Sequence, residues 1–152
     1  MDTMLILRGI SGTYPDPATG HPRRWDQGAL DEPPARTYAQ LRGYEGRVLP
    51  VSGETGSGSP QTKATLKAFR EDLSVAALYG FSGGGYNVRW VIQALNPEER
   101  RRIRLLVVLG APKNDPSLYK GPWEVVYRTD PPAGHMFGPR ALLDSFTKSQ
   151  AK

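Results

Sequence analysis

Residues Val75-Ala76-Ala77-Leu78-Tyr79 run apolar without a break and lead into Gly80-Phe81-Ser82-Gly83-Gly84-Gly85. A strand with one wet face alternates apolar and polar residues. An unbroken apolar run reads instead as a strand covered on both faces, as in a parallel sheet. A chain built around such a strand needs helices above and below it. Four further runs fit the same role: Met4 to Leu7, Arg47 to Val51, Ile103 to Leu109 (interrupted only by Arg104) and Glu124 to Tyr127.

Helical segments separate these strands. Ala35 to Leu41 follows Pro33-Pro34. Ser59-Pro60 has the form of a cap and first-turn proline opening Gln61 to Glu71. Gly85 to Leu95 carries the stripe Val88, Val91, Ile92, Leu95, and Asn96-Pro97 ends it. Gly138 to Lys148 offers Ala141, Leu142 and Phe146. Strands alternating with helices predict an α/β fold with right-handed crossovers. The expectation is a single three-layer domain over residues 1–152. Its five-stranded, mostly parallel sheet has the order 2-1-3-4-5, with helices on both faces. The 17 Gly and 14 Pro are about a fifth of the 152 residues, which suits many turns and not a helix bundle.

Composition narrows the chemistry. The chain has no cysteine, which excludes disulfides, thiolate metal sites and cysteine nucleophiles. Histidine mechanisms have two candidates, His21 and His135. His21 lies among Asp16, Arg23, Arg24 and Asp26. One imidazole with scattered carboxylates is a poor ligand set, so neither metal nor cofactor is expected. Met1 to Arg8 has no basic leader, and no apolar run approaches the ~20 residues that span a bilayer. A soluble, cytoplasmic protein without a membrane span is therefore expected. The net charge of +5 owes much to Arg100, Arg101, Arg102 and Arg104. No nucleic-acid module accompanies them, so a solvated helix end is expected there, with nucleic-acid binding as the lesser reading.

The segment Ser11 to Pro34 shows no regular period and is rich in Pro, Gly, Asp and Arg. A loop this long in a small domain tends to be functional. It follows the first strand, at the edge where a parallel sheet gathers its ligand-facing loops. A second irregular run, Ser52 to Gly58, follows the second strand at that edge.

Gly80-Phe81-Ser82-Gly83-Gly84 is G-x-S-x-G in a strand–turn–helix setting. A serine on so tight a turn sits in strained backbone, and side chains two residues to either side would collide with neighbouring elements. The Ser82 hydroxyl would stand at the carboxyl edge of the sheet. The helix behind it would direct N–H groups toward developing negative charge.

On these residues the chain resembles the α/β-hydrolase superfamily, particularly its small cutinase-like serine esterases. The order of elements from Met4 to Lys148 carries the likeness, and Gly80 to Gly84 is its one specific motif. The resemblance implies a minimal hydrolase-like fold and the order serine, acid, histidine, which this chain offers as Ser82, Asp130 and His135. Ser82 would attack an acyl carbon, His135 would carry the proton, and Asp130 would fix the imidazole tautomer. The Gly83 N–H would be one oxyanion donor, and Ile10 or Ser11 would supply the other. Tyr14 and Phe81 are the candidate substrate contacts. Only four residues separate Asp130 from His135, fewer than is usual in the family. Asp115 is therefore the second-choice acid, and a Ser–His dyad is a further alternative. No cap-sized segment is evident, so short or solvent-exposed acyl chains are expected.

The implied function is a small serine hydrolase that cleaves an ester or thioester through an acyl-enzyme on Ser82. The alternative is a non-catalytic α/β domain holding an anion at the Gly-rich helix N-terminus. The lysine and spacing of a nucleotide P-loop are missing.

Overall fold

The computed structural model describes residues 1–10, 12–15, 19, 22–25 and 28–151, with the backbone alone for 12–15, 22–25 and 28–31. Thr3–Leu7 (β1) enters the sheet, and Gly12–Pro15 (β2) pairs antiparallel with Pro22–Trp25 (β3) in a separate ribbon. The chain continues through Gly28–Leu41 (α1), Glu45–Leu49 (β4), Pro60–Glu71 (α2), Val75–Phe81 (β5) and Gly83–Ala94 (α3). Pro97–Arg100 (α4), Leu105–Leu109 (β6), Glu124–Arg128 (β7) and Gly138–Gln150 (α5) complete it, with short 3-10 turns at Pro116–Tyr119 and His135–Phe137. The main sheet is parallel throughout, in the order β4-β1-β5-β6-β7. Counted by sheet strands alone this is 2-1-3-4-5, the expected topology.

Burial explains which strands read as continuous apolar runs. Every residue of β1, β5 and β6 is buried, whereas the edge strands β4 and β7 mix buried and exposed positions. Alternate side chains of the central strands enter two different cores. Leu5, Leu7, Leu78, Leu106 and Val108 pack with Phe69 of α2 and Val88, Val91 and Ile92 of α3. Met4, Ile6, Tyr79, Phe81, Val107 and Leu109 pack on the opposite face with Tyr38 of α1 and Leu142 and Leu143 of α5. Three layers follow directly from that division.

Three expectations need correction. The first helix begins at Gly28, not Ala35, and runs through Pro33 and Pro34. Proline removes an intrahelical N–H and normally marks a boundary. Here Ala35, Tyr38 and Ala39, all at most 1% exposed, hold the later turns against the sheet. The segment expected to be irregular also contains the β2–β3 ribbon. The second sheet strand lies two residues earlier than expected, at Glu45–Leu49, paired residue for residue with Thr3–Leu7.

Part of the arginine cluster is internal structure. Arg102 donates to the carbonyls of Phe69 and Asp72 at the end of α2, both at 2.9 Å, and its guanidinium lies 4.0 Å from the Phe69 ring centroid. Arg100 donates to the Ile92 carbonyl at 2.8 Å. Both cations thus serve carbonyls left over at helix ends. Arg104 reaches Asp2 at 3.1 Å, and Arg101 is exposed. Among the described residues no helix is long and apolar enough to cross a membrane.

Candidate active site

The chain leaves β1 toward one edge strand and later leaves β5 toward the other. The strand order therefore reverses between β1 and β5, and parallel sheets open a crevice at the carboxyl ends of such neighbours. Ser82 is the first residue after β5 and Ile10 lies three residues after β1. Both line one open cleft of about 390 Å³, together with Gly83, Tyr86 and Trp90.

Ser82 has φ 56° and ψ −118°, and it is the one non-glycine residue with positive φ among those described. Such a conformation costs on the order of 1–3 kcal/mol and must be held by its surroundings. Here the Ser82 N–H donates to the Leu109 carbonyl at 2.8 Å. Its close-packed glycines contribute as well. A Cβ on Gly80 would strike the Gly84 carbonyl, and one on Gly83 would strike the Gly53 carbonyl. A Cβ on Gly84 would strike the Leu7 carbonyl, so Gly80 packs against the turn while Gly84 packs against the end of β1.

The Ser82 hydroxyl caps no helical N–H; it lies 2.9 Å from His135 Nε2. His135 Nδ1 lies 2.7 Å from Asp130 Oδ1. An ionised carboxylate only accepts, so Nδ1 carries the proton and Nε2 is left to accept from Ser82. Asp130 and His135 are reached from β7 and the turn before α5, while Ser82 belongs to β5 and α3. The parallel sheet brings all three to one edge.

Gly83 opens α3, and no hydrogen bond engages its N–H among the described residues. The Gly83 N–H is thus available beside the Ser82 hydroxyl. Ile10 is 47% exposed at the cleft, whereas Ser11 lies outside the described residues. Of Tyr14 only the backbone is described, and His21 is also outside. Phe81 does not line the cleft. It is 1% exposed and stacks on His135 with ring centroids 5.0 Å apart, so it supports the imidazole from the core side.

Asp115 is engaged elsewhere. Its carboxylate accepts from the Ser117 N–H at 2.9 Å, and that bond holds it below the ordinary carboxylate range. It caps the 3-10 turn Pro116–Tyr119, while Asp130 occupies the imidazole Nδ1.

Several supporting residues escape a sequence reading. Gly110, just after β6, has φ 65°, and a Cβ there would stand 2.7 Å from His135 Cε1 and 3.1 Å from Asp130 Oδ1. Its position directly after an apolar strand was a weak available signal. Gln61 and Asn87 are fully buried polar residues. Asn87 donates to Gln61 Oε1 at 2.8 Å and to the Glu54 carbonyl at 2.9 Å. Gln61 donates to the carbonyls of Arg8 and Val51. This network ties the loops after β1 and β4 to α2 and α3. Tyr86 accepts from the Lys113 N–H at 3.1 Å, fastening the loop after β6 beside the cleft.

No model of a known protein family and no curated protein matches this chain.

Proposed function

We propose that the protein is a small serine hydrolase of α/β-hydrolase type that cleaves an ester or thioester of a small-molecule acyl substrate. The single observation that carries this reading is the hydrogen-bonded line from Asp130 through His135 to Ser82, at 2.7 and 2.9 Å. Ser82 attacks the acyl carbon as His135 Nε2 takes its proton. Asp130 holds the tautomer and stabilises the imidazolium that forms. The Gly83 N–H donates to the developing oxyanion, with Ile10 or Ser11 as the second donor; one such donor is worth about 3 kcal/mol of barrier. The imidazolium then protonates the leaving group. Water, deprotonated by the same imidazole, releases the acid and restores Ser82. A cytoplasmic location belongs to the same proposal.

A non-catalytic anion site at the start of α3 would have no use for an imidazole held to Ser82 by an aspartate. A fluorophosphonate probe separates the two. Labelling of the wild type that is lost in Ser82→Ala and reduced in His135→Ala is the expected result. Equal labelling of Ser82→Ala, or none of the wild type, overturns the hydrolase reading.

A further inference from the structure

The cleft beside Ser82 carries two cations, Arg89 and Lys113, and among the described residues no carboxylate lines it. Arg89 lies on α3, three residues beyond Tyr86, so both project from the same helical face as the start of the helix. Lys113 reaches the cleft from the loop after β6, where its backbone N–H donates to the Tyr86 hydroxyl at 3.1 Å. Most arginines around the fold are already employed: Arg42 on Glu124, Arg70 on Glu99, Arg104 on Asp2, and Arg100 and Arg102 on helix-end carbonyls. Among the described residues neither Arg89 nor Lys113 forms an ion pair. The Arg89 Nε is buried and has no hydrogen-bond partner among the described residues, an arrangement that costs stability unless something else is served by it. Its guanidinium lies 4.7 Å from the Trp90 ring centroid, a cation–π contact between two residues of the cleft lining.

Resting on the hydrolase reading, we infer that the substrate is an ester bearing a second, ionised acidic group, which Arg89 and Lys113 hold while Ser82 attacks the ester carbonyl. A planar guanidinium offers paired donors to a carboxylate or phosphate, and the lysine adds a second, mobile charge. Trp90 and Ile10 give the intervening carbon chain an apolar wall. Charge in the cleft then sets specificity, and the Ser82 hydroxyl performs the chemistry.

Matched esters test this. Mono-p-nitrophenyl glutarate against p-nitrophenyl valerate places the charge on the acyl side. 4-Acetoxybenzoate against its methyl ester places it on the leaving group. The wild type is expected to favour the anion in at least one pair by about tenfold in kcat/KM, as two partly exposed cations would produce. The ratio should collapse in Arg89→Gln/Lys113→Gln and decline with added salt. Equal ratios in the wild type and the double variant overturn the inference. A second measurement does not depend on turnover: Ser82→Ala is titrated with mono-p-nitrophenyl glutarate and with p-nitrophenyl valerate. Preferential binding of the glutarate that is lost in Ser82→Ala/Arg89→Gln/Lys113→Gln supports the anion site even where the wild type cleaves nothing, an outcome that removes only the hydrolase reading. Indifference of Ser82→Ala to charge overturns the anion site itself.

Discussion

His135 Nδ1 lies 2.7 Å from Asp130 Oδ1 although only four residues separate the two. The intervening segment closes on itself: the Gly134 N–H donates to the Pro131 carbonyl at 2.9 Å, and Gly134 takes φ 119°. That turn reverses the chain within one loop, and the 3-10 turn His135–Phe137 then carries it into α5. A short excursion thus suffices because the acid leaves β7 at the same sheet edge that receives the histidine. Phe81 below the ring and Gly110 beside it leave the imidazole little alternative.

The acid can be tested by its difference from its neighbour. Asp130→Asn cannot accept the Nδ1 proton with a full charge, and it permits the wrong imidazole tautomer. Its kcat should fall on the order of 10³-fold or more. Asp115→Asn, which alters a 3-10 cap, should stay within about twofold in kcat with a small loss of stability. Steady-state hydrolysis of p-nitrophenyl butyrate reads both. A larger loss in Asp115→Asn than in Asp130→Asn would reverse the assignment of the acid.

Gly110→Ala probes the space around the ring. The added Cβ would stand 2.7 Å from His135 Cε1, and an L residue at φ 65° costs roughly 1–2 kcal/mol. The imidazole must move, and a misplacement of about 1 Å costs on the order of 10²-fold in rate. Activity should therefore fall far more than the urea midpoint does. Full activity in a folded Gly110→Ala would show that the ring has freedom the packing denies it.

These residues also mark where a sequence reading reaches and where it stops. Gly80 and Ser82 are legible because the turn they make is local: a side chain on Gly80 would strike the carbonyl of Gly84, four residues on, whereas the constraint on Gly84 itself comes from the Leu7 carbonyl at the end of β1. The three central strands are legible because β1, β5 and β6 are buried on both faces and are apolar throughout but for Thr3. Gly110 is not legible, since its constraint comes from side chains some twenty residues later. The hairpin of β2 and β3 hides in a stretch of Pro, Gly and Arg with no periodic apolar face. The early start of α1 hides behind two prolines whose cost is offset by packing of residues further on. Arg102 reads as surface charge, because its carbonyl partners lie some thirty residues before it.

Arg102→Gln loses bonds to the Phe69 and Asp72 carbonyls and its stacking on Phe69, and should cost roughly 1–3 kcal/mol by urea unfolding. Arg101→Gln, at an exposed position, should change stability by less than about 0.5 kcal/mol. Equal effects would mean that the cluster acts through bulk charge and not through helix-end carbonyls.

The buried pair Gln61–Asn87 should behave as one unit. Each side chain is fully buried, and each leaves the other's polar atoms unpaired when truncated. Gln61→Ala and Asn87→Ala should each cost roughly 1–3 kcal/mol. The double variant should cost less than the two single losses combined, with a coupling of about 1 kcal/mol. Because the pair also holds the Arg8, Val51 and Glu54 carbonyls, amide exchange should quicken in the loop 50–58. Strict additivity with unchanged exchange would deny the network its role.

Tyr119 supplies a test at alkaline pH. Its hydroxyl donates to the Gly85 carbonyl at 2.9 Å and accepts from Asn114 at 2.9 Å, and the residue is 0% exposed. Burial pushes the phenol up to about 12, against about 10 for an unfolded tyrosine. As the pH rises past 10 the unfolded chain releases this proton while the folded chain keeps it. The unfolded state then binds fewer protons, and stability falls with pH. The contribution is therefore complete below about pH 10 and is lost as the pH climbs toward 12. Tyr119→Phe should be less stable than the wild type by roughly 1–3 kcal/mol near neutrality, since Gly85 and Asn114 lose a partner. That gap should narrow between pH 9 and pH 11, because the other tyrosines titrate alike in both proteins. Urea unfolding at the two pH values reads the gap, and one that stays constant would mean that the phenol titrates in the folded protein as it does in the unfolded chain.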